Sequence, residues 1–277
     1  MKTIRVAHSP DSDDAFMFYA LATEKIDTDG YRFVHHLDDI ESLNQAAETG
    51  TYEVTAVSIH AYAYLHEKYA LLNSGASMGE GYGPILVSGE ALEREELKEK
   101  QIAIPGEKTS ACLALRLFLP ECRTRVFPFD EIIDQVKSGR MDAGVLIHEG
   151  QLFYREYDLC KIVDLGEWWA AETGLPLPLG GNAIRRDLGD EAIGTVSSLI
   201  KQSIQYALDN REEALKYALQ FGRGLDESLG DRFVDMYVNS RTLDYGEEGR
   251  KAVQVFLDRG FEKGLIPSRV EVEFIGN

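Results

Sequence analysis

Short apolar segments alternate with helical segments through the first two thirds of the chain, and this alternation restricts the possible folds. The apolar segments are bounded by Gly, Pro, Asp or Ser, a pattern typical of strands buried in a sheet. From residue 191 onward, helical periodicity continues nearly to the end. Strands that alternate with helices predict an α/β fold with mostly parallel strands. We predict strands at residues 3–8, 31–37, 54–57, 101–104, 125–128, 143–147 and 161–165.

Two series of predicted strands and helices are separated by a charged segment and a proline-rich segment, which indicates two lobes with a ligand cleft between them. We assign residues 1–93 and 178–277, including the C-terminal helices, to the first lobe. The second lobe then comprises residues 94–177. Pro176 and Pro178 lie at the second connection, which is too rich in proline to be a central strand from start to finish.

The net charge restricts the classes of partner. The chain carries 29 basic and 47 acidic residues, so its net charge is 29 − 47 = −18. This charge repels polyanions, and we therefore expect neither nucleic acid nor an anionic membrane surface as a partner. A small anionic substrate would need local donors such as backbone N–H groups, hydroxyls or a helix N-terminus. The sequence leaves the oligomeric state open.

The cysteines and the apolar segments bear on localisation. Cys112, Cys122 and Cys160 show no C-x-x-C spacing, so we expect reduced thiols and neither a disulfide framework nor a metal site. The sequence opens on a predicted strand rather than on an apolar leader. No apolar run approaches the roughly 18 residues of a membrane span. We therefore expect a cytoplasmic protein without a membrane partner.

A histidine stands at the end of one predicted buried strand. The apolar run 143–147 stops at His148, and Glu149 and Gly150 follow. In open α/β sheets the carboxyl ends of parallel strands face the ligand crevice. Imidazole is the side chain best suited to move protons near neutral pH, so His148 is a candidate general base. The alternative is a structural histidine with its hydrogen bonds satisfied.

Small hydroxyl residues follow several predicted strands and precede helices. They are found at Ser9 and Ser12, at Ser58, and at Thr109 with Ser110. Such a position offers a hydroxyl and free backbone N–H groups at a helix N-terminus, which suits the binding of a carboxylate. Simple helix capping explains any one of them equally well. Their convergence with His148 on one cleft would favour a binding site.

Other sequence features give no sign of a cofactor or a metal. The acidic run from Asp11 to Asp14 lacks the Gly and the distal Glu of a calcium-binding loop, so helix capping is its expected role. Nucleotide-binding, serine hydrolase and zinc protease motifs are absent from the sequence. Trp168 and Trp169 could stack on a ligand ring, but packing is the commoner use of such residues.

Eleven segments spread along the chain form a distinctive set. They are Ser9-Pro10, Asp14-x-Phe16-x-Phe-Tyr-Ala-Leu21, Asp39-Ile-Glu-x-Leu-Asn44, Gly81-Tyr-Gly-Pro84, Ile104-Pro-Gly106, Ala143-Gly-Val-Leu-Ile-His-Glu149, Val163-Asp-Leu-Gly-Glu-Trp-Trp169, Gly174-Leu-Pro-Leu-Pro-Leu-Gly180, Arg185-Arg-Asp-Leu-Gly189, Tyr237-Val-Asn239 and Gly246-Glu-Glu-Gly249. Together these segments resemble the 1,4-dihydroxy-6-naphthoate synthases of the futalosine route to menaquinone. The similarity runs from about residue 4 to residue 265, and the tryptophan pair with the Gly-Leu-Pro-Leu-Pro-Leu-Gly segment that follows it is quite specific.

The resemblance implies the two-lobed fold of type II periplasmic binding proteins, used here inside the cell. It implies a lyase that converts cyclic de-hypoxanthine futalosine to 1,4-dihydroxy-6-naphthoate and dihydroxyacetone without a cofactor. His148 matches the catalytic base of the family. The positions that match its substrate-binding residues are Asn44, Ala56, Val57, Ser58, Thr109 and Ser110.

Two positions depart from the family pattern. Some members read Cys-Pro-Asn-Asp-Thr where this chain has Asp11-Ser-Asp-Asp-Ala15, so the resemblance implies no direct role for Asp11 or Ser12. A basic residue often precedes the Val/Leu-Ser of the third strand, where this chain has Ala56. Backbone contacts carry over at that position, and side-chain contacts do not.

Our mechanistic hypothesis is that His148, neutral at rest, removes a proton from the sugar-derived part of the substrate. Ring opening and a retro-aldol-type cleavage then release a three-carbon fragment, and the remaining ring becomes aromatic. Two alternatives stay open: a non-catalytic binding protein of the same fold, and chorismate dehydratase of the sister family. The Ile-His-Glu sequence and the tryptophan pair disfavour the latter. The group that orients the imidazole is open as well, since Glu149 is only its neighbour in the chain.

Overall fold

The computed structural model of the protein describes residues 2–221 and 227–276. Its strands, numbered in chain order, are β1 (Lys2–His8), β2 (Tyr31–Leu37), β3 (Val54–Ser58), β4 (Tyr69–Leu72), β5 (Ser77–Gly79), β6 (Ile85–Ser88), β7 (Gln101–Ile104), β8 (Arg123–Val126), β9 (Ala143–Leu146), β10 (Cys160–Asp164), β11 (Leu177–Arg185) and β12 (Phe274–Ile275). Its α-helices are α1 (Ser12–Met17), α2 (Tyr19–Ala22), α3 (Ile40–Glu48), α4 (Ile59–Leu65), α5 (Ser110–Phe118), α6 (Ile132–Lys137), α7 (Gly150–Phe153), α8 (Leu165–Thr173), α9 (Asp190–Asp209), α10 (Arg211–Ala218), α11 (Glu227–Tyr237), α12 (Ser240–Leu243) and α13 (Gly246–Glu262).

The first sheet has the strand order β12-β4-β11-β3-β1-β2, with β5 paired to the amino end of β11. β1 runs parallel to β2 and β3, whereas β11 is antiparallel to β3, β4 and β5. Because β1 and β3 are parallel, their carboxyl ends at His8 and Ser58 lie at the same edge of the sheet.

The second sheet has the strand order β10-β6-β9-β7-β8. β9 is buried along its whole length between β6 and β7, which explains why its sequence is an uninterrupted apolar run. It runs parallel to β7, so the carboxyl ends of these two strands also share one edge. The strand predicted ahead of His148 is therefore confirmed.

Strand β6 corrects the predicted lobe boundary. The prediction placed residues 1–93 in the first lobe, but Ile85–Ser88 pairs with β9 and β10 of the second sheet. The chain therefore crosses between the sheets before Ile85. The charged segment near residues 90–96, which suggested the boundary, is a largely exposed connection that follows β6. The charged residues of this segment therefore indicate an exposed loop within the second lobe and not the boundary between the lobes.

The prediction of mostly parallel strands is wrong. Among the described strands, antiparallel pairings are as frequent as parallel ones. The antiparallel pairings in the second sheet involve β6, and those in the first involve β11. These are the strands by which the chain enters the second lobe and returns to the first. Each crossing reverses the direction of the chain relative to its neighbours, so both sheets are mixed.

Strand β11 also shows how a proline-rich segment enters a sheet. Pro178 lies inside this strand and pairs with Met78 of β5. The register with β3 begins only at Gly180. Proline removes one ladder donor, and it is tolerated where one side of the strand has no neighbour to bond. The proline-rich part is thus an edge segment, and β11 becomes a central strand two residues later.

One apolar cluster contains residues of both sheets. It includes Val57 of the first sheet and Ile102 of the second, together with Trp169 of α8. Trp169 is fully buried, its ring lies edge-on to Phe256 at 5.3 Å, and its Nε1 donates to the Pro176 carbonyl at 3.1 Å. The packing role predicted for the tryptophan pair is confirmed for Trp169.

Candidate active site

A cavity of about 110 Å³ lies where strand ends of the two sheets face one another. A residue at or after the carboxyl end of each of four strands lines it: Ser9 after β1, Ser58 of β3, Thr109 after β7 and His148 after β9. Ser9, Ser58 and Thr109 thus converge with His148 on one cleft, the arrangement that would favour a binding site.

Most of the predicted site residues line this cavity. Besides His148, they are Ala56, Val57, Ser58, Thr109 and Ser110. Much of the remaining wall is apolar and includes Met17, Ile40, Ile147, Leu179 and Phe233. An apolar wall with a few converging polar groups suits a flat organic ligand whose orientation is set by hydrogen bonds.

Asn44, in contrast, stands behind the cavity wall. It is fully buried, and its Nδ2 donates to Ser58 Oγ at 3.1 Å while its Oδ1 accepts from the Ser58 amide at 2.9 Å. Both contacts hold Ser58, at the point where β3 passes into α4. The structure therefore places Asn44 as a support for Ser58, whereas the sequence predicted direct contact with substrate.

The hydroxyls at the start of α5 are engaged within the protein. Thr109 Oγ1 donates to the Gly106 carbonyl at 2.9 Å and caps the helix by accepting from the Cys112 amide at 3.2 Å. Ser110 Oγ donates to the Leu179 carbonyl at 2.5 Å. Amides in the first turn of a helix lack intrahelical acceptors, so the backbone N–H groups here are the donors that suit an anionic group.

His148 is held in an unusual backbone conformation with one ring nitrogen paired. Its φ is +52°, a left-handed value that non-glycine residues adopt mainly where the surrounding structure imposes it. Nδ1 lies 2.9 Å from Asp11 Oδ2, and the ring lies edge-on to Phe129 at 4.9 Å. Within residues 2–221 and 227–276, Nε2 has no hydrogen-bond partner. The second nitrogen is therefore a buried atom whose hydrogen bond is not made within the described chain.

The electrostatic setting of His148 favours its protonated form. Burial alone would lower the pKa of the ring, but the charge of Asp11 and the hydrogen bond between them more than offset it, and the pKa is raised above 6.5. This direction opposes the prediction that the ring is neutral at rest. A paired Nδ1 leaves Nε2 as the atom that loses and regains the exchangeable proton.

Asp11 does not take the capping role that was predicted for the acidic run. It occupies the N-cap position of α1, but its side chain makes no capping hydrogen bond to the backbone of that helix and instead meets His148. Burial would raise the pKa of Asp11, yet the nearby His148 lowers it. Asp11 is therefore the ionised partner of the histidine.

Burial favours the protonated form of the other two carboxyls of the run. Burial, followed by the charge of Asp11, raises the pKa of Asp14 to about 8 and raises that of Asp13 well above its ordinary value. Asp14 Oδ2 also accepts from the Ser9 amide at 2.7 Å. The charge of Asp11 itself is paired with the imidazole of His148.

The chain is similar to known proteins over nearly its whole length. A family model described as menaquinone biosynthesis matches residues 4–262. The chain belongs to this menaquinone biosynthesis family. Two curated relatives, each named 1,4-dihydroxy-6-naphthoate synthase, come from Thermus thermophilus and Streptomyces coelicolor. They are 36% and 34% identical to this chain, and each alignment covers 96% of this chain and 96% or 95% of the relative.

Solved structures place this menaquinone biosynthesis protein among known folds. Protein AF1704 from Archaeoglobus fulgidus is 45% identical, with a TM-score of 0.90 over 95% of this chain and 98% of the other. The alkanesulfonate-binding protein SsuA from Xanthomonas axonopodis is 13% identical, with a TM-score of 0.72 over 100% of this chain and 99% of the other. The latter likeness shows the fold alone, and it confirms the predicted two-lobed periplasmic-binding-protein-like architecture.

Two further cavity residues of this family member were missed by sequence reasoning. Asn182 of β11 is buried and lines the cavity, and its Nδ2 has no hydrogen-bond partner among the described residues. A single amide inside an apolar strand was the available signal. Tyr237 of α11 also lines the cavity and donates to Gln151 Oε1 at 3.1 Å. This contact joins segments that are far apart in the chain, so local sequence patterns could not predict it.

In residues 2–221 and 227–276, no group of three His, Cys, Asp or Glu side chains is arranged to hold a metal ion. Within the same ranges, no helix has both the length and the apolar character needed to cross a membrane.

Proposed function

We propose that this protein is a carbon–carbon lyase that converts cyclic de-hypoxanthine futalosine to 1,4-dihydroxy-6-naphthoate and dihydroxyacetone. The names of its two curated relatives support this reaction. The observation that carries the chemistry is the imidazole of His148, which lines the cavity with Nδ1 paired to Asp11 and Nε2 unpaired among the described residues. A base presented in this way can remove a proton from a bound organic molecule.

Each wall of the cavity has a part in this proposal. The apolar side chains receive the ring system of the substrate, and Nε2 of His148 takes a proton from its sugar-derived part. Backbone N–H groups at the start of α5, with the Ser58 hydroxyl, hold the substrate carboxylate. The paired charges of Asp11 and His148 reduce the repulsion that a chain of net charge −18 would otherwise exert on an anion.

The proposal includes a cytoplasmic protein acting on a small anionic molecule. Cys112, Cys122 and Cys160 are free thiols, which is typical of proteins in a reducing compartment. Aromatisation of the product ring supplies the driving force, so the protein has to position the substrate, remove a proton and exclude water.

Purified protein incubated with cyclic de-hypoxanthine futalosine tests the proposal. We expect the absorption of a naphthoate to appear and dihydroxyacetone to accumulate in equal amount. A binding protein of the same fold would return the substrate unchanged. A parallel incubation with chorismate separates the sister activity, because a chorismate dehydratase would release the dehydrated product. Either of these results would contradict the proposed reaction.

Substitutions of Asn44 and Asn182 form a matched pair. They distinguish an asparagine that supports Ser58 from one that is proposed to contact the substrate. We expect Asn44→Ala to lower the free energy of unfolding by about 1–3 kcal/mol, because it leaves the buried Ser58 amide without its acceptor. Asn182→Ala removes an amide nitrogen that has no partner in the described chain. Its unfolding should change little, while KM rises about three- to tenfold, the value of one hydrogen bond. Urea unfolding and steady-state kinetics of both variants check this; a stable Asn182→Ala variant with unchanged KM would remove Asn182 from the site.

A further inference from the structure

The contact between Asp11 and His148 joins the two lobes. Asp11 follows β1 of the first sheet, and His148 follows β9 of the second. The atoms that meet are Oδ2 and Nδ1, at 2.9 Å. The Asp11 side chain is 7% exposed and that of His148 is 16% exposed, so water competes little for either group. A short contact between buried ionisable groups from different sheets is a specific feature of the tertiary structure.

A second contact ties the same segment to the first lobe. Gln151 of α7 donates from Nε2 to the His148 carbonyl at 3.1 Å. Its Oε1 accepts from the Tyr237 hydroxyl at 3.1 Å, and Tyr237 belongs to α11, which contacts α1 and β5 of the first lobe. Asp11 thus holds the ring of His148 directly from across the cleft. The main chain of His148, whose φ is +52°, is held by Gln151, and Tyr237 holds Gln151 from across the cleft.

We infer that Asp11 is the positioning residue for the His148 base, and that the pair is complete only when the two lobes meet. This inference rests on the proposed function and names the group that orients its base. Asp11 accepts the Nδ1 proton and so selects the tautomer whose lone pair is on Nε2. When Nε2 takes a proton from substrate, the resulting imidazolium stays paired with the carboxylate, and the substrate atom that loses the proton keeps the electron pair of the broken bond.

Other acidic groups near His148 do not take this place. Asp13 and Asp14 lie on α1 and Glu149 follows His148 in the chain; all three are buried. Burial raises the pKa of Asp13 and Asp14, which disfavours a carboxylate at either position. His148 forms its ion pair with Asp11. Asp209, an exposed aspartate at the end of α9 and outside the cavity lining, provides a control for the same chemical change.

The test compares wild type, Asp11→Asn and Asp209→Asn in the lyase assay over a range of pH. Wild type should show an acid limb in kcat/KM with a midpoint above 6.5, because the raised pKa of the free protein must be exceeded to free Nε2. In Asp11→Asn we expect this midpoint to move to lower pH and the plateau kcat to fall about 10- to 100-fold, as for a misplaced catalytic group. KM should change less than kcat. Asp209→Asn should keep the wild-type midpoint and kcat, because Asp209 is exposed and lies outside the cavity lining.

A nitrogen NMR titration of the His148 ring in the wild-type protein gives a second reading that does not depend on turnover or on the folding of a variant. We expect the neutral ring to carry its proton on Nδ1. Wild type that is inactive would contradict the proposed function. Active wild type would overturn the inference alone if the neutral ring carries its proton on Nε2, or if Asp11→Asn keeps both the wild-type midpoint and the wild-type kcat.

Discussion

His148→Asn is expected to reduce kcat by about 10²- to 10⁴-fold, the usual contribution of a positioned general base. Asparagine keeps a polar side chain of similar reach at the end of β9, but its amide cannot accept a proton at neutral pH. The apolar wall and the donors at the start of α5 remain, so the affinity for substrate should change far less than the rate. Stopped-flow or steady-state formation of the naphthoate, together with calorimetric substrate binding, measures the two quantities separately.

The control for this substitution is His36→Asn. His36 is an exposed residue of β2 outside the cavity lining, so the same chemical change should leave kcat close to that of the wild type. If a folded His148→Asn protein that binds substrate turned it over at a near-normal rate, His148 would not be the base. Loss of binding together with loss of rate would assign His148 to substrate recognition instead.

Trp169→Ala is expected to lower the free energy of unfolding by about 3–5 kcal/mol, the range for truncating a large buried aromatic residue. Trp169 is fully buried in the cluster that joins the two sheets. The substitution removes its contact with Phe256 and the hydrogen bond from Nε1 to the Pro176 carbonyl. The cavity it leaves would be lined on several sides by groups that cannot close over it. Urea-induced unfolding followed by circular dichroism measures the loss.

Trp168→Ala is the matched comparison, because the two residues are neighbours and identical in type. Trp168 is only partly buried and packs edge-on to Phe118 at 5.5 Å. Its truncation should cost about 1 kcal/mol, which is typical of a single substitution outside the core. If both variants lost the same free energy of unfolding, the special contribution of Trp169 to the core shared by the two sheets would be contradicted.

Local patterns predicted several elements of this protein closely. Helix α3 occupies residues 40–48, directly after Asp39, which caps it by accepting from the amides of Glu41 and Ser42. The strand ahead of His148 ends one residue earlier than predicted, at Leu146. These features depend on apolar spacing and on hydrogen bonds between near neighbours, and both are visible in the sequence.

Features that depend on strand order were predicted less well. The sequence shows β6 as an apolar segment but contains no sign that it pairs with β9 and β10, so the boundary at residue 93 was misplaced. Asn44 was expected at the substrate because of its position in a motif, yet its two hydrogen bonds go to Ser58. In both cases the deciding contact lies between segments separated along the chain.

The sequence by itself determined that an imidazole follows a buried strand and that hydroxyl residues follow other strands, because burial and turn formation are governed by neighbouring residues. Only the tertiary structure decided that Asp11, apparently a helix cap, is the partner of His148. That pairing requires the ends of β1 and β9 to meet across the cleft, which follows from the order of strands in two sheets and from the crossings between them. The role of the buried Asp11 carboxylate is set by its contact with His148 on the other lobe and not by its neighbours in the chain.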